Sequence, residues 1–450
     1  MNGNHRNGAL DTGMLKGFRK AFRANPQYAL IQNAVTSVGV DELAADRSLL
    51  NTMEHSFSHL LDDWEATNQK KSGRCWMFAG LNLLRVGAMR KMNLKGFEFS
   101  QNYTMFWDKL ERANYMLEAV VSTAGRPVDD RVVAFLLDGF ANDGGQWDMF
   151  INIVRKHGLV PKTVMPETES SSNTHRMNTI LRMKLREGSL ALRALVAAGA
   201  KAKAVEAGKR DILNVVHRIL CIHLGTPPER FLWQWNDKDR KFHRDGEMTP
   251  REFAAKYVTL PVDDYVCLIQ DPRRTSAYGK TYTVEFLGNI VGERPVKYLN
   301  IESALMKKIA MTLITGGEPV WFGCDVGKHM KRDLGLWDAR LFDYAGLYGT
   351  SFSMGKADRL VYHESVASHA MLFTGVDVVD GKPRRWRVEN SWGEESGKKG
   401  FFLMNDSWFD EHVLAIAAPK AMLPKKLQEA CGLEPVVLPP WDPMGALARG

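Results

Sequence analysis

Cys75 is the residue of this sequence best placed to act as a nucleophile. It follows a glycine-containing loop, residues 68–74, and directly precedes a helical pattern of apolar residues. A helix N-terminus stabilises a thiolate by at most about 2 kcal/mol, whereas lowering a thiol pKa from about 8.5 to about 4 requires about 6 kcal/mol. A catalytic Cys75 therefore needs a second partner, usually an imidazolium. Without one, the alternative is a buried, inert cysteine.

His369 and Asn390 are the candidates for that partner and for the group that orients it. His369 begins an apolar run, and Asn390 follows 21 residues later in the sequence Asn-Ser-Trp-Gly. An imidazole would take the thiol proton, the amide would fix the ring, and Trp392 would shield their hydrogen bond from water. Taken alone, His369 would be interpreted as a satisfied core histidine, so the hypothesis depends on the combination.

The segment 69–76 resembles the nucleophile segment of the papain-like cysteine proteases. The family signature C-G-[SA]-C-[WY] is matched at Gly73, Cys75 and Trp76. Ser72 stands where secreted members have a disulfide-forming cysteine. That departure agrees with a reducing compartment and removes no catalytic group.

The resemblance implies a role for each remaining candidate. Gln69 matches the oxyanion-hole glutamine, and Asn390 with Trp392 matches the family's Asn-Ser-Trp-Gly motif. Gly144 and Gly145 match a glycine pair whose backbone binds substrate, so we expect a strand of the substrate cleft there.

The distance from Cys75 to His369 is 294 residues, against about 130–150 in ordinary members of the family. Together with the ending Asp-Pro-Met-Gly-Ala-Leu-Ala, residues 442–448, this spacing resembles the bleomycin hydrolase / aminopeptidase C group. The resemblance implies an ending that lies in the active-site cleft, where a terminal carboxylate near Ala448 binds the substrate's free amine. It also implies a homohexamer acting on peptide substrates.

This chain continues past Ala448 with Arg449 and Gly450, which add up to about 7 Å of chain. We hypothesise that these two residues hinder or alter aminopeptidase activity until they are removed. The alternative is that they fold harmlessly aside.

The elements that must position these residues fall into a helical part and a strand-rich part. Apolar residues at helical spacing predict three helices, at 78–92, 106–118 and 130–140. Three serines and an asparagine at 170–173 predict a loop, and a stretch rich in Ala, Leu, Arg and Lys predicts long helices over 177–223. Short β-branched or aromatic runs predict strands at 282–286, 320–324, 371–379, 385–389 and 401–404.

The predicted fold class is α+β, a papain-like fold with a helical half, an antiparallel β-rich half, a large helical insertion and an N-terminal arm. The predicted boundaries are 1–65 for the arm, 66–164 for the helical half with the nucleophile, 165–300 for the mainly helical insertion, 301–435 for the β-rich half with His369 and Asn390, and 436–450 for the tail.

Composition narrows the functional classes. The 450 residues are 45% hydrophobic and 25% charged, which is typical of globular proteins and excludes wholesale disorder. The net charge of +8 is spread along the chain, so a basic soluble enzyme is favoured, with weak nucleic-acid binding kept as an alternative. There is no C-x-x-C or H-E-x-x-H motif and no G-x-G-x-x-G, so no metal and no cofactor are expected.

No run of 18 apolar residues and no signal-peptide core occur, which predicts no membrane association and a cytoplasmic location. The function expected is that of a cysteine aminopeptidase with a Cys-His-Asn thioester mechanism. The alternatives are a broader amide or thiolactone hydrolase, an endopeptidase, and a nucleic-acid-binding hexamer with a secondary hydrolase activity.

Overall fold

The first described residues form a helical arm. The computed structural model of the chain describes residues 8–61 and 64–449. Asp11 caps the first helix, and Asn25 with Pro26 separates it from the second. The arm contains α1 (Thr12–Ala24), α2 (Pro26–Val35), α3 (Val40–Ala44), α4 (Arg47–Leu50) and the short strand β1 (His59–Leu60). No residue of α1 is buried, and its apolar residues Met14, Leu15, Phe18 and Phe22 are exposed.

The helical half is built around α5, which is buried along nearly its whole length. It packs between the large sheet and its neighbouring helices, which is why apolar residues surround it on all sides. Asn93, in the left-handed conformation, ends it. The helices of this half are α5 (Cys75–Met92), α6 (Gln101–Ser122), α7 (Arg131–Asp138) and α8 (Trp147–His157).

Two long antiparallel helices dominate the predicted insertion and pack on α6. They approach closely at Gly188, where an added Cβ would lie 2.8 Å from Ile212. This region contains α9 (Glu169–Ser172), α10 (His175–Ala197), α11 (Ala202–Leu224), the hairpin β2 (Phe231–Asn236) with β3 (Phe242–Met248), and α12 (Pro250–Tyr257).

Two expectations for this region are wrong in detail. Residues 170–173 were expected to form a loop, but 169–172 form the short helix α9, because Thr168 and Ser171 cap it reciprocally. The expected mainly helical stretch to 300 also changes to strands after residue 230. Its last strands pair with the large sheet, because their residues are apolar and buried.

The large sheet is mixed, with mostly antiparallel pairs and three parallel ones. Its strands, beyond β1, are β4 (Tyr265–Ile269), β5 (Thr281–Val284), β6 (Tyr298–Asn300), β7 (Val320–Cys324), β8 (Met330–Lys331), β9 (Leu336–Trp337), β10 (His369–Val379), β11 (Lys382–Glu389), β12 (Phe401–Asn405), β13 (Val413–Pro419) and β14 (Val436–Leu438). Their order is β14-β5-β6-β4-β13-β7-β10-β11-β12-β9-β8, with β1 beside β10.

Both faces of the sheet are covered, so the central strands are buried on either side. One face packs on α5 and the helical half, and the other on α13 and α16. The remaining helices are α13 (Ser303–Thr315), α14 (Tyr344–Tyr348), α15 (Lys356–Val361), α16 (Asp406–His412) and α17 (Lys425–Ala430), followed by a 3-10 helix at Pro443–Arg449. Across the described ranges, no helix has the length and apolar character needed to cross a bilayer.

Candidate active site

Cys75 is the first residue of α5 and is only 4% exposed. Burial raises the pKa of its thiol to about 11, and hydrogen bonds from the backbone at Ala370 and Trp76 oppose that rise. Because Ala370 directly follows His369, this contact places the thiol at the start of β10. The helix N-terminus and the second residue of a central strand therefore meet at the sulfur atom.

His369 makes its expected hydrogen bond. Its Nε2 lies 2.8 Å from Oδ1 of Asn390, and that oxygen also accepts the backbone N–H of Ser391 at 2.8 Å. Since an amide oxygen only accepts, Nε2 carries the hydrogen and Nδ1 is the nitrogen left to exchange a proton. Burial lowers the pKa of His369 to about 4, the bond to Asn390 opposes this shift, and the charge of Arg332 adds to it.

Trp392 covers this hydrogen bond. Its ring centre lies 5.0 Å from that of His369, and Phe402 supports it edge-on from 5.9 Å. The structure therefore places Trp392 beside the His369–Asn390 pair, where it limits the access of water.

Gln69 joins the nucleophile loop to the strand end that carries Asn390. Its Oε1 accepts a hydrogen bond from the Ser391 hydroxyl at 2.6 Å, and its backbone N–H donates to the Ser391 carbonyl at 2.8 Å. Its Nε2 donates to the Ser72 carbonyl at 2.5 Å. One amide hydrogen is used in that bond, and the second can point toward an oxyanion.

The predicted insertion holds the nucleophile loop directly. Arg74, the residue before the nucleophile, makes a bidentate pair with Glu167 at 3.0 and 2.7 Å. The backbone N–H of Lys71 donates to the Ser172 carbonyl at 2.9 Å, and that of Thr174 returns to Lys71 at 3.3 Å. The position of the loop thus depends on residues about 100 positions later in the chain.

Asp143 makes a second connection between the loop before Cys75 and the predicted insertion. Its carboxylate accepts hydrogen bonds from the Gly73 backbone at 3.1 Å and from Lys109, Thr174 and Asn178 at 2.5–2.8 Å. Burial alone would raise the pKa of Asp143, but Lys109 and the other donors outweigh it and hold that pKa well below its usual range. The side chain is therefore ionised and fixes Gly73 in place.

Gly144 and Gly145 are buried, but they lie in irregular backbone between α7 and α8, so the expected strand is not formed. Gly145 packs against the Trp76 ring so closely that an added Cβ would lie 2.3 Å from it. The indole of Trp76 also donates to the Asp143 carbonyl at 2.7 Å. The space under Gly145 is taken by a neighbouring indole, which explains the need for a residue without a side chain.

Glu389 is a buried residue of this region that the sequence analysis did not single out. Its carboxylate accepts hydrogen bonds from Trp64 at 2.6 Å, from Asn82 at 2.8 Å and from Arg85 at 2.6 Å. Burial raises the pKa of Glu389, and Arg85 opposes the rise. A carboxylate directly before Asn390, at the end of the predicted strand 385–389, was the available signal.

The last residues of the chain lie at the junction of the two halves. The Met444 carbonyl accepts hydrogen bonds from Gln146 at 3.4 Å and from Tyr298 at 3.1 Å. Leu447 lies 3.5 Å from the position a Cβ would take on Gly323, which is paired with Ala370 in the sheet. The tail thus packs next to the residues that flank the thiol.

An ion-pair cluster fixes the tail at its base. The guanidinium of Arg273 donates hydrogen bonds to two carboxylates, at 2.7–3.1 Å to Asp271 and at 2.9–3.0 Å to Asp442. Ala448 is buried, and its carbonyl lies 3.5 Å from a guanidinium nitrogen of Arg112. Asp442 is the point at which the tail enters this region.

Arg449 turns back along the tail. Its guanidinium donates to the Asp442 carbonyl at 3.2 Å and lies 5.6 Å from the ring centre of Phe135. Gly450, the other residue of the processing hypothesis, lies outside the described residues.

The cysteine begins a helix and lies beside the start of a strand whose first residue, a histidine, is hydrogen-bonded to an asparagine. In an α+β fold of this topology, that arrangement defines a papain-like cysteine peptidase. The Peptidase C1-like family model matches residues 9–445, and the chain belongs to that family. The predicted resemblance to the bleomycin hydrolase / aminopeptidase C group is confirmed.

The similarity to individual relatives extends over nearly the whole chain. Human bleomycin hydrolase is 43% identical and covers 98% of this chain, with 99% of the relative aligned. Aminopeptidase C of Lactobacillus delbrueckii subsp. lactis is also 43% identical, over 96% of this chain and 97% of the relative. The crystal structure of PepW from Lactobacillus rhamnosis superposes with a TM-score of 0.96 at 45% identity, over 97% of this chain and 99% of that one.

Proposed function

We propose that this chain is a cysteine aminopeptidase that releases N-terminal residues from peptides, with the tail setting the exopeptidase specificity. The observation that carries the proposal is the burial of most of Pro443–Arg449, with Leu447 packed at Gly323, the strand partner of Ala370. A segment lying there blocks one end of a cleft, so that an extended chain cannot pass through it. The names of the aligned relatives, an aminopeptidase C and a bleomycin hydrolase, support the same activity.

The mechanism we propose is acyl transfer through a thioester. Cys75 Sγ attacks the scissile carbonyl carbon while its proton moves to Nδ1 of His369. Gln69 Nε2 and the Cys75 backbone N–H stabilise the oxyanion. His369 returns the proton to the leaving amine, and the C–N bond breaks. Water, deprotonated by His369, then hydrolyses the thioester and restores the thiol.

Burial favours the neutral thiol of Cys75 and the neutral imidazole of His369, as the raised pKa of the first and the lowered pKa of the second indicate. Transfer of the proton from sulfur to nitrogen creates two adjacent opposite charges, whose attraction is strong in poorly hydrated surroundings. The start of α5 adds partial positive charge beside the sulfur. We therefore expect the two groups to titrate as a coupled pair.

The tail is proposed to act as an anchor as well as a block. A terminal carboxylate facing the substrate's ammonium group would gain more in this dry region than in water. Because Arg449 already folds back over the tail, the two final residues are expected to alter where that carboxylate lies.

The experiment compares an alanyl aminomethylcoumarin amide with its N-acetylated form. We expect turnover of the free-amine substrate alone, with loss of activity in Cys75→Ala and retention in Cys221→Ser, a partly exposed cysteine outside the site. Equal turnover of both substrates would contradict the aminopeptidase proposal and favour an endopeptidase. A chain ending at Ala448 tests the two final residues, and unchanged kinetics would contradict their role.

A broader amide hydrolase is the second candidate, favoured by the name of the human relative. Turnover of amides that are not peptides, inhibited by alkylation of Cys75, would support it. The hexamer, the cytoplasmic location and weak nucleic-acid binding stay predictions. The unburied apolar face of α1 is the surface that we expect to be covered if copies of this chain assemble.

A further inference from the structure

An exposed arginine lies beside the cover of the active site. Arg332 occupies the turn between β8 and β9, and its guanidinium carbon lies 4.5 Å from the ring centre of Trp392. The Trp392 ring centre lies in turn 5.0 Å from that of His369. The guanidinium is therefore at most 9.5 Å from the centre of the imidazole.

The charge of Arg332 is not neutralised by a side chain within the described ranges. Its neighbour Lys331 pairs with Glu42 and Asp333, whereas no carboxylate of residues 8–61 or 64–449 lies within 4.0 Å of the Arg332 nitrogens. Its positive charge contributes to the lowered pKa of His369, so the two groups interact electrostatically. The indole face holds the guanidinium in place by a cation–π contact and leaves its N–H groups free to bind a ligand.

Under the proposed function, Arg332 lies beside the path that the leaving part of the peptide takes. The tail packs beside Gln146 and Gly323, so on the proposed mechanism the substrate's amino end lies there. The leaving nitrogen receives its proton from His369, and the rest of the substrate must extend away from the tail, across His369 and Trp392. A distance of at most 9.5 Å is spanned by about two to three residues of extended chain.

We propose that Arg332 is a specificity-determining residue that binds a carboxylate on the leaving-group side of the substrate. The carboxylate is either an Asp or Glu side chain two or three residues from the N-terminus, or the terminal carboxylate of a di- or tripeptide. A guanidinium fork binds either source through two parallel hydrogen bonds. The inference rests on the proposed function, because it requires cleavage next to His369.

Two substrate pairs separate the two sources. Ala-Phe-Asp-amide beside Ala-Phe-Asn-amide tests the side chain, and Ala-Phe-Ala with a free carboxylate beside its amide tests the terminus. For at least one pair we expect kcat/KM of the carboxylate substrate to be about three- to tenfold higher at low salt. High salt is expected to reduce the ratio, because the site is partly exposed.

Arg332→Ala is expected to bring that ratio to about one, and Arg332→Glu to invert it. Arg340→Ala is the matched control, since Arg340 is another exposed arginine of the same segment whose guanidinium lies near Asp338. A wild-type ratio near one in both pairs, or a ratio unchanged in Arg332→Ala, overturns the inference. Failure of the wild type to cleave the alanyl coumarin amide would instead overturn the proposed function, so the two failures are distinguishable.

Discussion

The carboxylate of Glu389 and the guanidinium of Arg85 lie 2.6 Å apart, and both side chains are at most 3% exposed. Arg85 follows Cys75 by ten residues on α5, and Glu389 is bonded directly to Asn390. The ion pair thus joins α5, which begins at Cys75, to β11, which ends directly before Asn390. We therefore expect its loss to lower the stability of the fold and to disturb the relative positions of Cys75 and Asn390.

Glu389→Gln is expected to lower the free energy of unfolding by about 3–5 kcal/mol, because it leaves Arg85 buried without its countercharge. The double variant Arg85→Met/Glu389→Met removes both charges and is expected to recover most of that loss. Urea denaturation monitored by tryptophan fluorescence measures the free energy of unfolding of the single and the double variant. Glu394→Gln, an exposed glutamate nearby, is the control, with a change within about 0.5 kcal/mol. Equal stabilities of the Glu389 and Glu394 variants would contradict this view.

His412 makes the fold sensitive to acid. Burial lowers its pKa to about 2, against about 6.5 when the chain is unfolded, so the unfolded state binds the additional proton between these values. His412 therefore does not reduce the free energy of unfolding above pH 6.5, and it reduces that free energy progressively as the pH drops toward 2. At pH 5 the loss from this residue is about 2 kcal/mol.

His412→Phe is expected to remove that part of the acid sensitivity, because the ring lies among Trp408 and His329 and its Nδ1 has no described partner. Unfolding free energies at pH 7 and pH 5 test this. His363→Asn, at an exposed histidine with a φ of 60°, is the control and should keep the wild-type difference. An unchanged pH dependence in His412→Phe would refute the assignment.

The cluster at the base of the tail should control substrate choice. Asp442→Asn weakens the contact with Arg273 while Asp271 still holds the arginine, so the tail is expected to loosen without loss of the surrounding fold. Turnover of the N-acetylated coumarin amide should then rise relative to the free-amine form, by about fivefold for a loss of about 1 kcal/mol. Glu434→Gln, an exposed acid upstream of the tail, should leave the ratio unchanged. A wild-type ratio in Asp442→Asn would count against the tail as a block.

Gly145→Ala should disturb the residue next to the nucleophile. The new methyl group would lie 2.3 Å from the Trp76 ring, which is fully buried and cannot yield without moving the start of α5. We expect a loss of stability of about 1–3 kcal/mol and a fall in kcat/KM of at least tenfold. Thermal unfolding and coumarin release measure the two effects. Gly96→Ala, where the added carbon meets no atom within 4 Å, is the control.

Much of the framework followed from local patterns. Apolar spacing predicted a helix over 78–92, which in the structure begins at Cys75, and β-branched or aromatic runs predicted β7, β10 and β11. The motif around Asn390 predicted its partner His369, and the structure brings these two side chains within hydrogen-bond distance. The α+β class and the papain-like fold were predicted correctly.

The contacts between distant segments could not be predicted in this way. Arg74 and Glu167 are 93 residues apart, and nothing in either local sequence indicates the other. The two-residue strands β8 and β9 are too short for a periodic pattern, although they present Arg332. The glycine at position 145 was expected in a strand, and the indole that fills the space beneath it is visible only in three dimensions.

The attachment of the nucleophile loop to residues 167–178 limits how the enzyme can be simplified. Deleting residues 167–224, which include the long helical pair, to obtain a minimal papain-sized catalyst would remove Glu167 and Thr174, which bind Arg74 and Asp143. A successful truncation would have to redesign the loop before Cys75 as well. Residues 167–178 therefore hold the loop before Cys75 in place, and the region that contains them does not behave as an independent module.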